Sequence, residues 1–310
     1  MAGTLLVANP HAQNGRVGRR WTAIEKAVAP HLPPDRQTSF TKAPRDAEAI
    51  VRRALQTGTD LVVAVGGDGM FNEVVNGFFD EAGPVRPQAR LALIPAGTGS
   101  DLSRTLDLPP DAARSAARIS PGADRRLDVG RVTFRDPSGN VASRYFINIA
   151  EAGSGGAVVA KSNRTTKAFG GKLSFLWAIL TTMPRHKNTR IRWKVDGPDP
   201  SVGEAVVNNF IVANGRHFGG GLTPAPDARM DDGLLDVVVV GDIDFPEVRR
   251  NLGRFRRGTH LSHPAISHFR AAALDTECVD DMLLDTDGEL VGANPTRFEV
   301  VPAAIRLAQT

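Results

Sequence analysis

The chain has 310 residues, 41% of them hydrophobic and 23% charged, with 38 Lys and Arg against 34 Asp and Glu. These proportions describe a globular protein long enough for two domains and exclude a low-complexity or disordered polypeptide. A single cysteine, Cys278, excludes a disulfide framework and a cysteine metal site, and it suits a reducing cytoplasm. Residues 1–10 carry no basic leader, and the longest apolar run, residues 173–184, is too short to span a bilayer. No internal repeat is visible.

In chain order, residues 4–8 predict a strand that leads to a helix over residues 21–28. Residues 47–55 have helical spacing, and residues 61–65 form a buried strand that leads to a helix over residues 70–79. Residues 91–94 form the next strand, with a helix beginning near Asp101. Strands alternating with helices imply a parallel, doubly wound sheet. Beyond Arg126 the texture changes to short strands separated by turns, over residues 127–134, 145–150, 190–195, 206–213, 234–240, 268–273, 282–285 and 297–301. That pattern predicts an antiparallel sandwich. Ser120-Pro121-Gly122 breaks the helical pattern and sets the expected boundary, giving domains 1–124 and 125–310, with a C-terminal tail able to return to the first.

Three strand exits in the first half run into small residues and then a helix. The strand over residues 61–65 enters Gly66-Gly67-Asp68-Gly69, and then Phe71, Val74, Val75 and Phe78 recur at helical spacing. Residues 5–8 enter Asn9-Pro10-His11-Ala12-Gln13-Asn14-Gly15, and residues 91–94 enter Pro95-Ala96-Gly97-Thr98-Gly99-Ser100-Asp101. Glycine lets backbone approach a phosphate, and the N–H groups of a helix start point at the anion. Asp68 would repel a bare phosphate, so it suits a divalent cation or a substrate hydroxyl held beside the phosphates. Its alternative is a plain helix cap. Ligands bind outside the carboxyl ends of strands in open α/β sheets, so the three loops converge on a nucleotide site. Neither a P-loop nor a Gly-x-Gly-x-x-Gly fingerprint is present.

Four motifs in order, Gly66-Gly67-Asp68-Gly69, Pro95-Ala96-Gly97-Thr98-Gly99-Ser100-Asp101, Asp231-Asp232-Gly233 and Asp287-Gly288-Glu289, resemble those of the soluble bacterial lipid kinases built on the diacylglycerol kinase catalytic domain. The resemblance covers essentially the whole chain. It implies an N-terminal three-layer α/β domain and a C-terminal β-sandwich, with ATP in a cleft between them. By position, the ATP contacts it implies are Asn9, Pro10, His11, Ala12, Gln13, Thr41, Gly66, Gly67, Asp68, Gly69, Met70, Phe71, Asn72 and Thr98. Glu289 matches the proton acceptor, and Asp68 and Asp287 match carboxylates that support catalytic Mg²⁺. A second, structural Mg²⁺ would take the main-chain carbonyls of Arg229 and Leu234 with the Asp232 carboxylate. Met70 stands where the family usually has Thr, and Ser100 where it usually has Asn. Both departures imply altered nucleotide affinity.

Asp287 and Glu289 also read as a polar hairpin turn, since Asp-Gly is a frequent turn pair. Asp231-Asp232-Gly233 reads equally as a plain turn, and the histidines show no ligand spacing.

The net charge is only +4, but it is unevenly spread. Residues 152–195 contain no Asp or Glu, while Lys161, Arg164, Lys167, Lys172, Arg185, Lys187, Arg190, Arg192 and Lys194 accumulate around the apolar residues 173–180. A second cluster, Arg249, Arg250, Arg254, Arg256 and Arg257, lies in a helix that starts near Pro246. Cations around apolar surface suit peripheral contact with an anionic membrane, and a buried helix with solvated flanks is the alternative. Few aromatics and no recognition motif argue against nucleic acid.

The expected function is an ATP- and Mg²⁺-dependent kinase of a membrane-lipid hydroxyl, with diacylglycerol the default substrate and phosphatidic acid the product. The expected location is cytoplasmic, peripherally associated with the membrane. A kinase of another lipid or of NAD, and a nucleotide-binding regulator without catalysis, are the alternatives. Whether the chain forms a homodimer is left open.

Overall fold

A computed structural model describes residues 3–96, 101–120, 122–164, 171–197 and 200–309, with the backbone alone for Gln13 and for residues 163–164 and 171–176. The chain divides into two compact units, residues 1–127 with 303–310 and residues 128–302. The division falls at 127/128 instead of the expected 124/125, inside a strand.

The first unit opens with β1 (Gly3–Ala8), α1 (Ala12–Arg19), α2 (Trp21–Val28), β2 (Arg36–Phe40), α3 (Asp46–Gln56), β3 (Thr59–Gly66) and α4 (Asp68–Gly77). A small hairpin of β4 (Phe79–Asp80) and β5 (Gly83–Pro84) follows, then β6 (Arg90–Pro95), α5 (Asp101–Thr105) and α6 (Ala112–Ala116). Strands β2, β1, β3 and β6 lie side by side and parallel. Apolar residues dominate β1, β3 and β6 because both faces are covered. On one face Leu6, Val63 and Ile94 pack with Val28 of α2 and Ala116 of α6. On the other, α3 and α4 pack together against the sheet, burying Val51, Leu55, Phe71 and Val75. Strand β2 had no apolar run to announce it. Its polar side chains suit a sheet edge, and Phe40 meets Trp21 edge-on with ring centroids 4.9 Å apart.

The second unit begins with β7 (Arg125–Arg135), β8 (Val141–Phe146), β9 (Ile149–Gly153), α7 (Ser154–Arg164) and α8 (Gly171–Thr182). Then come β10 (Thr189–Asp196), β11 (Val202–Val207), β12 (Asn209–Ala213), β13 (Leu235–Val240) and α9 (Phe245–Arg257). It ends with β14 (Ile266–Ala271), β15 (Ala273–Cys278), β16 (Leu283–Thr286) and β17 (Glu289–Leu307). One sheet runs β14-β13-β12-β9-β16-β17. The other runs β11-β10-β15-β17, with β7 joining β17 to β8. This is an antiparallel β-sandwich in which the long β17 serves both sheets. Phe146, Phe210, Phe298, Leu235 and Leu274 fill its core.

Two expected strands are each divided by an asparagine. Residues 145–150 break before β9 at Asn148, whose side chain donates to the His217 carbonyl at 2.5 Å. Residues 206–213 break at Asn208, whose side chain bonds Ser154 Oγ at 2.9 Å and Asn188 Oδ1 at 3.0 Å. Asparagine side chains compete with the strand ladder in this way. Strand β15 was not expected, because its alternation carries charged residues outward.

The chain end closes the first unit. Arg306 and Leu307 add to β6 in parallel, and the wholly buried Gln309 side chain continues the pairing. Its Oε1 accepts from Leu93 N at 2.8 Å, and its Nε2 donates to the carbonyls of Leu93 at 3.0 Å and Ser115 at 2.9 Å. Gln309→Ala strands these buried groups and should cost about 2–4 kcal/mol, since each unpaired buried polar group costs about 1–3 kcal/mol. Urea denaturation measures it, and a loss below about 0.5 kcal/mol would contradict this role.

Candidate active site

In the first unit, the parallel order puts the carboxyl ends of β1, β3 and β6 side by side on one edge. After β1, Asn9 Oδ1 accepts the His11 N–H at 2.9 Å, and α1 starts at Ala12, within the stretch through Gly15 that was expected to be loop. Pro10 anchors the loop through its carbonyl, which accepts from Gly18 N at 3.0 Å. Thr41 is buried and continues the β1–β2 pairing, its N–H donating to Ala8 O at 3.0 Å. Thr98, with the rest of residues 97–100, and the Gln13 side chain lie outside the described residues.

The β3 exit and the β6 exit are joined by Asp68. Its Oδ2 accepts the Asp101 N–H at 3.0 Å and its Oδ1 the Leu102 N–H at 3.1 Å. Asp68 therefore caps α5 across the loop, a role the sequence had assigned to its own helix as the alternative. The first residue of α4 thereby fixes the start of the third loop. Nearby, the Gly66 carbonyl accepts the Ala96 N–H at 2.8 Å. Gly67 provides no side-chain cap to α4, and a helix start is where backbone N–H groups can meet an anion.

Met70 lies over Gly66: a Cβ at residue 66 would stand 2.7 Å from Met70 Cβ. Met70, Phe71 and Asn72 are all buried, and Asn72 takes two bonds from the Asn76 side chain, so these side chains belong to the packing of α4. Glu73, which sequence reasoning left without a role, accepts the Ala47 N–H at 3.2 Å at the start of α3.

In the second unit, Asp287 and Gly288 form the two-residue turn between β16 and β17, with Thr286 opposite Glu289. Their φ angles of 51° and 85° are those of a type I′ turn, which explains the Asp-Gly pair. The Asp287 carboxylate reaches back over the β8–β9 junction. It accepts the N–H groups of Ile147, Asn148 and Ile149, each at 2.9 Å. The Asp287 N–H in turn donates to Ile149 O at 2.8 Å. Glu289 follows on the exposed start of β17.

Beneath that turn lies a feature missed in the sequence. Glu151 of β9 and Asp285 of β16 are cross-strand partners, and both are buried. Burial and the neighbouring Glu151 push the Asp285 carboxyl well above the usual range, and burial raises Glu151 as well. Two adjacent buried charges cannot both persist, so the pair titrates as a unit that holds a proton above the usual carboxylate range. Asn209 Nδ2 donates to Glu151 Oε2 at 2.5 Å, and a Cβ on Gly155 would collide with that carboxyl group. The available signal was an acid embedded in apolar strand residues.

Glu151 also lines a small pocket of about 90 Å³, partly open to solvent. Its polar end is Glu151, Ser154, Asn208 and Asn209, and its walls include Met183, Phe218, Leu252 and Phe255. Apolar walls with a few polar groups at one end are the chemistry of a small-molecule site, here on a small scale.

The Asp231-Asp232-Gly233 turn lies in the same unit. Asp232 Oδ1 accepts the Leu234 N–H at 3.2 Å, and Oδ2 pairs with Arg270. Asp236 Oδ2 is buried without a hydrogen bond, 3.7 Å from Arg270 Nε, and burial, with Asp232 and Asp227 nearby, raises its pKa against the pull of Arg270. The surplus negative charge and hard oxygen donors fit a divalent cation, with Arg270 as its competitor. Among the described residues no cluster of three or more His, Cys, Asp or Glu could hold a metal. Carbonyls would have to contribute.

Residues 3–132 match the diacylglycerol kinase catalytic domain, and residues 148–309 match the YegS C-terminal NAD kinase beta sandwich-like domain. The chain belongs to the bacterial lipid kinases that carry these domains. A diacylglycerol kinase of Staphylococcus carnosus (strain TM300) is 30% identical over 258 residues, 83% of this chain and 79% of its own length. One from Staphylococcus epidermidis (strain ATCC 35984) is 31% identical over 82% of this chain and 75% of its own. A crystal structure of a putative diacylglycerol kinase from Bacillus anthracis str. Sterne aligns with a TM-score of 0.76 and 26% identity, covering 99% of this chain and 97% of that one. Yeast NADH kinase complexed with NADH shares the fold alone, at a TM-score of 0.51 and 11% identity.

The acid pair of this lipid kinase has a pH signature. Asp285 binds its proton more tightly folded than unfolded, so the pair's contribution is full below the unfolded carboxylate range and falls as pH rises towards the folded pKa. Asp285→Asn keeps a neutral donor there. Its melting-temperature deficit against the wild type should therefore narrow between about pH 5 and about pH 8. A deficit that widens over that interval contradicts the shared proton.

Proposed function

We propose that this lipid kinase transfers the γ-phosphoryl group of ATP to the hydroxyl of a membrane lipid, with diacylglycerol the acceptor and phosphatidic acid the product. The observation that carries the lipid acceptor is the second unit's apolar pocket. Its polar end, at Glu151, sits one strand across from Asp285, two residues before the Asp287–Gly288 turn. An aliphatic chain suits its walls, and the acceptor's polar end suits the groups around Glu151.

In this reading the loops after β1, β3 and β6 hold the triphosphate through backbone donors, so side-chain changes such as Met70 leave the principal contacts in place. Phosphoryl transfer demands positioning and charge neutralisation more than covalent help. Glu289 takes the proton of the attacking hydroxyl as its oxygen bonds to the γ-phosphorus, and the bond to the β-phosphate oxygen breaks to release ADP. Asp287 holds the turn that presents Glu289, and Asp68 holds the junction of two phosphate loops. Mg²⁺, when bound, would neutralise phosphate charge, with Asp68 and Asp287 as its supporting carboxylates. Asp232 with the carbonyls of Arg229 and Leu234 would hold a structural Mg²⁺.

Glu289→Gln tests the acceptor chemistry. Labelled phosphate transfer to diacylglycerol in mixed micelles should fall about 10²–10⁴-fold in kcat, the range for a lost acid–base group, with the melting temperature unchanged. Near-normal turnover would contradict the assignment, and transfer to NAD but to no lipid would overturn the function.

Asp232→Ala tests the structural ion. Mg²⁺ bound only by the folded state raises the melting temperature by mass action. The rise should be present in the wild type and shrink in the variant. An equal rise in both would refer it to another site.

A further inference from the structure

The pocket's outer wall carries an unusual charge. Helix α9 turns Phe245, Val248, Leu252 and Phe255 inward, and Val248, Leu252 and Phe255 line the pocket. The spacing of these four, three or four residues apart, makes one apolar stripe. Its other faces expose Arg249, Arg250, Arg254, Arg256 and Arg257. Among the described residues none of the five has an acidic partner, although 18 ion pairs occur elsewhere in them. Glu247, the acid on this helix, instead pairs with His263 at 3.2 Å. The helix dipole accounts for Arg254, Arg256 and Arg257 in the last turn. It does not account for Arg249 and Arg250 in the middle.

The second wall points the same way. Ala178 and Ile179 of α8 pack with Phe245 and Val248 of α9, and Ile179 lines the pocket. On that same helix Trp177 is 58% exposed and Leu180 45% exposed. Trp177 and Leu180 stand three residues apart on one helix, and tryptophan is at home at the level of lipid headgroups. No Asp or Glu occurs from residue 152 to residue 195, so no acidic residue on α7, α8 or the segment joining them repels an anionic surface.

We propose that the arginine face of α9 seats the second unit on an anionic bilayer, with Trp177 and Leu180 entering the headgroup level, so that an aliphatic chain passes from the membrane into the pocket these helices wall. The proposal rests on the lipid-acceptor reading above and deepens it. The arginines of α9, not the cations flanking residues 173–180, supply the docking charge in this proposal. The cations hold the surface, and the chain's apolar walls take over where the bilayer ends.

Vesicle co-sedimentation of the full chain without ATP tests docking apart from catalysis. Phosphatidylcholine vesicles with phosphatidylglycerol should retain the wild type, those without it should not, and added salt should weaken retention. Arg249→Gln, Arg250→Gln, Arg254→Gln and Arg256→Gln together should weaken binding about 100-fold or more, since each basic residue near such a surface contributes about fivefold. The same four changed to Lys keep the charge and should bind as the wild type does. The glutamine variant should still phosphorylate a short-chain acceptor in detergent. Equal binding by the glutamine variant, loss of binding in the lysine variant, or wild-type binding to duplex nucleic acid but not to vesicles would each overturn the proposal. A protein that docks but phosphorylates no lipid would instead overturn the lipid-acceptor reading.

Discussion

The carboxylate of Asp287 gathers three consecutive backbone N–H groups, and the geometry of the second unit's candidate site depends on that clamp. Residues 147–149 leave one strand and enter the next, so their N–H groups need acceptors that the ladder does not provide. A hydrogen bond to a charged group is worth about 1.5–3 kcal/mol, so three of them hold the junction and the turn as one piece. The turn's left-handed backbone directs the carboxylate inward, and the next strand begins at Glu289. Asp68 does the equivalent work in the first unit, with two N–H groups at the start of α5. In both units a motif acid shapes backbone before it meets any ligand.

That constraint explains which parts of the protein were legible in the sequence. Strands β1, β3 and β6 announce themselves because burial on both faces demands continuous apolar residues. The edge strand β2, Arg-Gln-Thr-Ser-Phe, carries no such demand and passes as loop. Asp68 and Asp287 were found through glycine-flanked motifs, but their partners are backbone groups that carry no sequence signature. The asparagine breaks at Asn148 and Asn208 were hidden for the same reason: what divides the strand is a side-chain bond to a distant residue.

The Glu151–Asp285 pair was the least legible element. Each acid occupies a strand position that would ordinarily be apolar, and neither belongs to a motif. Only the register of β9 against β16 brings them together, and only burial turns two carboxylates into one shared proton. Asn209 and the bare Gly155 complete the arrangement by bonding one oxygen and leaving room for the group. The pocket above it is walled by Val158 of α7, Ile179 of α8 and Val248, Leu252 and Phe255 of α9. A pocket with polar groups at one end and apolar walls suits an amphiphile better than a dinucleotide.

The claim that motif acids act first as backbone clamps is open to direct measurement by amide hydrogen exchange at single residues. Asp287→Gly removes the carboxylate while tolerating the left-handed φ. The amides of Ile147, Asn148 and Ile149 should then exchange about 10–100-fold faster than in the wild type, the loss of about 1.4–2.8 kcal/mol of local protection. Those of Asp101 and Leu102 should be unchanged. Exchange at residues 147–149 that is the same in both proteins would contradict the account.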